Sequence, residues 1–460
     1  MWTPDITKLD GPRYLAVATA IAKAIDGGQL SPGAQLPPQR DLAVKLGVTV
    51  GTISRAYAIA KRRKLVSGEV GRGTFVNGRR NDASPASVIP KEDARSIDLA
   101  CYRSPLNGLA DSISQALIEL GERSNILALN RYPPAAGFMT HRAAGVAWIA
   151  RTGLEVSGEN VLICNGAQQA LSLALATLVS PGKKLLTETL TYSGAKALST
   201  LGAFELVGVE MDAQGMIPEA LDESAAKSGA RVVYLQPTVQ NPTTAQMPAS
   251  RRQKIADIAR RRDLTLIEDD AACSAFTDRP PPISALIPER SCYITSVSKS
   301  ISPALRVGYL AAPRHLLDLL QGVFHTNVLG ASPLMAELVS QLISSGRADE
   351  LARDNLHENA KLHQIASDLL APFDKHSHPA AFYLWLSLPR QWTSEEFADA
   401  ARFNGVSVVP AGNFLAARDA SVHAVRVSLS VAATPDMLRN GLGALARLLG
   451  TAPRLRETVI

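Results

Sequence analysis

The apolar positions of this chain change their period once. Up to about residue 64 they recur at helical spacing. YLAVATAIAKAIDGG is amphipathic and stops at Gly27-Gly28. PQRDLAVKLG begins with Pro38 in a first-turn position and stops at Gly47. TVGTISRAYAIAKRRK follows a very short turn, with Thr49 as its N-cap. LVSGEVGRGTFV then reads as two short strands around a glycine turn. Two helices joined by a tight turn and followed by a β hairpin are the layout of a winged helix-turn-helix.

Residues 77–96, NGRRNDASPASVIPKEDARS, are polar, carry two prolines and show no apolar period. They read as a linker. Beyond them short apolar runs alternate with helical segments. The runs are VLICN (161–165), KLLTE (184–188), RVVYLQP (231–237), LTLIEDD (264–270) and CYITSV (292–297), and SRRQKIADIARRRD is one of the helical segments. That alternation predicts a doubly wound α/β domain with a mostly parallel sheet. From about residue 350, helices mix with FYLWLSLP, VSVVPA and AVRVSLS, the pattern of a smaller α+β lobe. The predicted divisions are a head at 1–77, a linker at 78–96 and a body at 97–460.

Charge sharpens this division. Residues 1–82 hold thirteen Lys/Arg and six Asp/Glu, a net of +7. The whole chain nets +6, so the remainder is close to neutral, and an anionic partner is expected for the head alone. Four cysteines, Cys101, Cys164, Cys273 and Cys292, are widely spaced, which predicts a reducing, cytoplasmic setting. The start MWTPDITKLDGPRY lacks the pattern of a signal peptide. No run is apolar enough to span a bilayer, so no membrane partner is expected.

In the third helix Ile53, Tyr57 and Ala60 share one face, while Thr49, Thr52 and Arg55 fall on others. A helix fits the major groove, where hydroxyl and guanidinium groups reach base edges and phosphates. Arg72, between Gly71 and Gly73, is a hairpin-tip candidate for a minor groove or backbone, and KRRK (61–64) would add phosphate contacts. The ordered set QLPPQRDLAVKLGV, TISRAYAIAKRRKLV and GRGTFV resembles the DNA-binding head of GntR-type bacterial regulators over residues 12–77. The resemblance implies that Arg40, Arg55 and Arg72 touch double-stranded DNA. Pro38 departs from the family's usual serine cap, and Val50 stands where an arginine is common; apolar contact with a thymine methyl is one replacement for it.

In the body, SVSKSISPALRVGYL (296–310) sets Lys299 among small hydroxyl residues at a strand end. Desolvation lowers an amine's pKa, and a neutral amine attacks carbonyls to form a Schiff base. A pyridoxal phosphate site also needs a carboxylate at the ring nitrogen, a phosphate cup, a stacking surface and a donor to the phenolic oxygen. IEDDAAC supplies the carboxylate. Gly166, Ala167 and Gln168, where a strand gives way to a helix, supply the cup, with Arg306 as a bidentate partner. Asn241 is the phenolate donor, and Tyr192 is a stacking surface.

These pieces, in this order, resemble a fold-type I aminotransferase over about residues 97–450. SVSKSISPALRVGY is similar to that family's SxSKxxxPxxRxGY. The resemblance implies that Lys299 carries the cofactor and that Arg306, with Ser296 or Ser298, holds its phosphate. It favours Asp269 over Asp270 at the ring nitrogen. It makes Arg426 in HAVRVSLS the reader of an α-carboxylate, and Tyr132 in RYPPAAG a residue that reaches the partner's phosphate in a homodimer. Where relatives carry a tyrosine just after the aspartate, this chain has Ala271-Ala272-Cys273, a change expected to weigh against efficient transamination.

A GntR-like head linked to an aminotransferase-like body resembles the MocR family of bacterial transcription regulators. The implied function is sensing rather than turnover. An amine or amino-acid effector would displace Lys299 by transaldimination and alter DNA affinity. The alternative is a working aminotransferase that carries a DNA-binding head.

Overall fold

The computed structural model describes residues 2–4, 12–26, 29–31, 33–62, 65–69, 73–76, 96–102, 108–122, 126–272, 276, 278–417, 422–430 and 434–451. The predicted linker, apart from Ser96, lies outside them, as do Arg72, Arg63 and Lys64 of the predicted DNA-contacting set, and Cys273. The chain forms two compact units, residues 1–90 and 91–460.

The head contains α1 (Arg13–Asp26), α2 (Gln39–Leu46) and α3 (Val50–Arg62), then the antiparallel strands β1 (Val66–Glu69) and β2 (Gly73–Val76). Ile53, Tyr57 and Ala60 are buried, as their shared face predicts, against Val17 and Ile21 of α1 and Leu42 of α2. The Tyr57 hydroxyl donates to the Pro37 carbonyl at 2.8 Å, tying α3 to the entrance of α2. Thr49 caps α3, its Oγ1 accepting from the Thr52 N–H at 3.2 Å. Pro38 differs from the expectation by one position. It sits at the N-cap of α2 rather than inside its first turn, and it offers no side-chain acceptor there. Gly47 closes α2 in the left-handed region, at φ 62°.

The body opens with β3 (Ile97–Asp98), α4 (Leu109–Gly121), α5 (Met139–Ala150), β4 (Val161–Cys164), α6 (Ala167–Leu178) and β5 (Lys184–Glu188). Next come α7 (Ser193–Gly202), β6 (Glu205–Val209), β7 (Met211–Asp212), β8 (Gly215–Met216), α8 (Pro218–Ser228) and β9 (Val232–Leu235). Then α9 (Ala249–Arg261), β10 (Thr265–Asp269), α10 (Ile283–Leu286), β11 (Ser291–Ser296) and β12 (Gly308–Ala311) complete the large sheet. Its order is β4-β12-β11-β10-β9-β5-β6. Strand β12 runs antiparallel to both neighbours, and the other pairings are parallel. Alternate residues of each run face opposite layers. Leu162 and Cys164 pack with α6 and with α11 (Arg314–Val328). Val161 and Ile163 pack with α5 and with α12 (Pro333–Ser344). Both faces are covered, so the central strands are rich in apolar residues, with buried polar ones such as Glu188, Glu268 and Asp269 toward their C-terminal ends.

After α13 (Arg347–Leu369), the smaller lobe contains β13 (Lys375–Ser377), β14 (Tyr383–Ser387), α14 (Ser394–Phe403), β15 (Val406–Ser407), β16 (Val409–Pro410), β17 (Ala424–Ser428) and α15 (Pro435–Leu449). Its antiparallel sheet has the order β13-β14-β17-β16. The chain's first body strand joins this distant lobe, because β3 pairs in parallel with β15. Leu99 continues the contact, its carbonyl accepting from the Ser428 N–H at 2.7 Å. Among the described residues no single helix is long and apolar enough to cross a membrane.

Candidate cofactor site and DNA-binding surface

Strands β4, β5, β9, β10 and β11 end along one edge of the large sheet, where the predicted residues gather. Gly166 is the N-cap of α6, in the left-handed region at φ 86°. A Cβ there would lie 2.6 Å from Arg306 Nη2, and one at Gly308 would lie 2.6 Å from the Gly166 carbonyl carbon. Glycine at both positions therefore lets Arg306 and the loop close onto each other. Arg306 Nη2 donates to the Asn165 carbonyl at 3.1 Å. Ala167 and Gln168 begin α6, where helical N–H groups have no intrahelical acceptor.

Lys299 follows β11. Its Nζ stands 4.0 Å from the centroid of Tyr102 and 4.9 Å from that of Phe382. Burial pushes its pKa down to about 7; Arg426 and Arg306 push the same way, and Cys101 opposes them. Ser296 Oγ accepts from the Ser298 N–H at 3.3 Å, and Ser298 Oγ is buried without a hydrogen-bond partner.

The two aspartates have different surroundings. Asp269 accepts from the Tyr234 hydroxyl at 2.8 Å, from Gln236 Nε2 at 3.1 Å and from the Ala271 N–H at 3.0 Å. Burial pushes its carboxyl up to about 6, and those three donors oppose the shift. Asp270 is bound on both oxygens by the buried Arg279 guanidinium and accepts from the Tyr293 hydroxyl. Asn241 Oδ1 accepts from Arg426 Nη1 at 3.0 Å, and Arg426 Nη2 donates to the Ala100 carbonyl at 2.9 Å. Arg426 Nε is buried without a partner. Tyr192 caps α7, and burial raises its pKa; Asp269 adds to that shift, while Arg426 and Arg306 oppose it, so all four lie within electrostatic reach. Tyr132 stands apart from this cluster, 81% exposed.

Several residues at the site carried no recognised signal in the sequence. Tyr102, Phe382, Tyr234 and Gln236 touch the predicted residues directly. Glu188 ends β5 fully buried, with Oε1 unpartnered. Burial pushes its carboxyl up to about 8, against donors from Gln240 and Gln236. A raised carboxyl pKa means that the folded state keeps a proton the unfolded state releases. This contribution to stability is complete below the ordinary carboxylate range and is lost as pH rises toward about 8. Glu188→Gln is expected to raise the thermal midpoint at pH 9 and to leave it unchanged at pH 5. A scan showing equal effects at both pH values contradicts this.

On the head, Arg40, Thr49 and Arg55 are exposed and Thr52 is partly so. The Thr49 and Thr52 hydroxyls are hydrogen-bonded to each other at 2.9 Å. The Arg55 guanidinium lies 4.1 Å over the Tyr14 ring, which holds it against α1. Val50 opens α3 and is 44% exposed.

Residues 101–445 match the family described as aminotransferase class I and II, and residues 13–76 match the bacterial regulatory proteins of the gntR family. The HTH-type transcriptional regulator YdeF of Bacillus subtilis is 31% identical over 97% of this chain and 96% of its own length. The HTH-type pyridoxine biosynthesis transcriptional regulator PdxR of Corynebacterium glutamicum is 28% identical over 76% of this chain and 78% of its own. A crystal structure of LysN, the alpha-aminoadipate aminotransferase of Thermus thermophilus, complexed with N-(5'-phosphopyridoxyl)-L-leucine, superposes with a TM-score of 0.70 at 26% identity, covering 77% of this chain and 92% of that one.

Aminotransferases of this class depend on pyridoxal phosphate, and the residues present here fit that cofactor. The helix start at Ala167 and Gln168, the unpartnered Ser298 hydroxyl and Arg306 form a donor set suited to a phosphate. The chain belongs to the class I and II aminotransferase family and, with its gntR-type head, is a pyridoxal-phosphate transcription regulator of the MocR type.

Proposed function

We propose that this protein is a cytoplasmic homodimer that binds paired sites on double-stranded DNA and senses an amine or amino-acid effector by transaldimination at Lys299. One observation carries the reading: the Lys299 amine, its pKa pushed down to about 7 by desolvation, lies over two aromatic rings within electrostatic reach of Arg426. Bound pyridoxal phosphate supplies an aldehyde carbon that condenses reversibly with primary amines, and a ring whose visible absorbance reports the condensation. Lys299 is the resident amine. Gly166, Ala167, Gln168, Ser296, Ser298 and Arg306 hold the phosphate, and Tyr132 reaches it from the partner subunit. Asp269 serves the ring nitrogen, since both Asp270 oxygens are taken by Arg279. Asn241 serves the phenolic oxygen, and Tyr192 stacks on the ring. Arg426 takes the effector's carboxylate. On the head, Arg40, Thr49, Thr52, Arg55 and Arg72 meet the DNA.

The effector acts on DNA affinity only through a difference in its affinity for two arrangements of the protein. A tenfold change in DNA affinity needs about 1.4 kcal/mol of such coupling. The test is a titration of cofactor-loaded protein with amino acids, ω-amino acids and simple amines, following the visible spectrum and DNA binding in one sample. At least one compound is expected to shift both at the same midpoint, without keto-acid formation. Keto-acid release at ordinary enzyme rates, with DNA affinity unchanged, supports the aminotransferase alternative instead.

A further inference from the structure

We propose that Tyr102 and Phe382 form the resting place of the Lys299 amine after an effector has displaced it. The inference rests on the sensing function proposed above and adds a driving element to it. In the exchange, the carbon–nitrogen double bond to Lys299 breaks as the bond to the effector nitrogen forms. Two protons pass from the effector nitrogen to the lysine nitrogen. The released amine then needs a place in a partly enclosed site within electrostatic reach of two arginines.

The two rings provide one. Their centroids are 4.4 Å apart in an edge arrangement, and Lys299 Nζ lies 4.0 Å from the first and 4.9 Å from the second. A ring face attracts an ammonium most strongly where water is excluded. Tyr102 also fixes the other end of the same residue, its hydroxyl donating to the Lys299 carbonyl at 2.9 Å. Phe382 is 7% exposed and is set in place by its carbonyl, which accepts from the Leu429 N–H at 2.9 Å. Ala272, in the stretch where aminotransferases carry a tyrosine, packs against this same apolar cluster. An aromatic surface thus reaches Lys299 from residue 102 rather than from the segment after Asp269.

The charges make the resting place conditional. Arg426 and Arg306 both repel an ammonium at Lys299. An effector carboxylate on Arg426 cancels one of these charges, so a carboxylate-bearing effector favours its own retention by letting the displaced lysine stay protonated over the rings.

The consequence is a pair of effects with opposite signs. Removing the ring penalises every state with a free Lys299 amine. Tyr102→Leu is therefore expected to weaken displacement by n-propylamine about tenfold and to tighten retention of pyridoxal phosphate by a similar factor. The first is read from the visible spectrum, the second by equilibrium dialysis of unloaded protein against the cofactor. Tyr102→Phe keeps the ring and loses the hydroxyl, and it is expected to stay within about twofold of the parent in both. In a Lys299→Ala background, with no amine to park, Tyr102→Leu is expected to leave cofactor retention unchanged. Weakening of both quantities by Tyr102→Leu overturns the proposal and makes the ring a structural support. So does parent-like behaviour, or an effect on cofactor retention that persists without Lys299. A parent protein that shows no visible band with the cofactor is a different result, and it removes the sensing function itself along with this inference.

Discussion

Lys299→Ala protein is expected to grip operator DNA as the parent does without effector, and to ignore the effector altogether. The visible band of the lysine-linked cofactor disappears, and a response of about tenfold in DNA affinity falls to none. The expectation follows from where the amine sits. It follows β11 at the sheet edge shared with Gly166 and Asp269, and burial with two arginines keeps much of it neutral near pH 7. The head's buried cluster and its Thr49–Thr52 and Tyr57–Pro37 hydrogen bonds are built from the head's own residues. A footprint that still responds to effector with alanine at this position rejects displacement of Lys299 as the sensing step.

Arg426→Gln is expected to separate effectors by chemistry. Amino acids lose roughly 100-fold in affinity, because a buried charge-assisted pair loses one partner, while amines without a carboxylate bind nearly as before. Two of the arginine's donors are committed to Asn241 and Ala100, and its Nε is buried without a partner. The ring centroids of Tyr383 and Phe414 lie 5.5 and 5.1 Å from the guanidinium carbon, so the arginine packs against aromatic faces. Spectral titration with an amino acid and its decarboxylated counterpart decides the matter. Equal losses for both would mean that Arg426 orients Asn241 rather than reading a carboxylate.

Residues whose chemistry belongs to a local pattern were legible in the sequence. Strands such as VLIC and KLLTE read as apolar runs because helices cover both faces of the sheet, and in the head the stop of α2 at Gly47 and the two hairpin strands were legible. The antiparallel direction of β12 was not drawn from the sequence, although the segment from 297 to 307 is too short for a crossover helix and favours an antiparallel return. Asp269 and Asp270 were ambiguous because they are adjacent; the partner that separates them, Arg279, gives no local signal of pairing with either. Tyr102 and Phe382 were invisible for a stronger reason. Nothing in their own neighbourhoods says that two segments so far apart in the chain meet at one lysine.

The six residues from Ile97 to Tyr102 form a strap across the body. Ile97 and Asp98 are pinned to β15, Leu99 to Ser428, Ala100 to Arg426 and Tyr102 to Lys299. The strap begins where the linker ends. Because Ala100 holds Arg426 and Tyr102 holds Lys299 only two residues further on, a shift of either side chain would be felt at the other through one short piece of backbone.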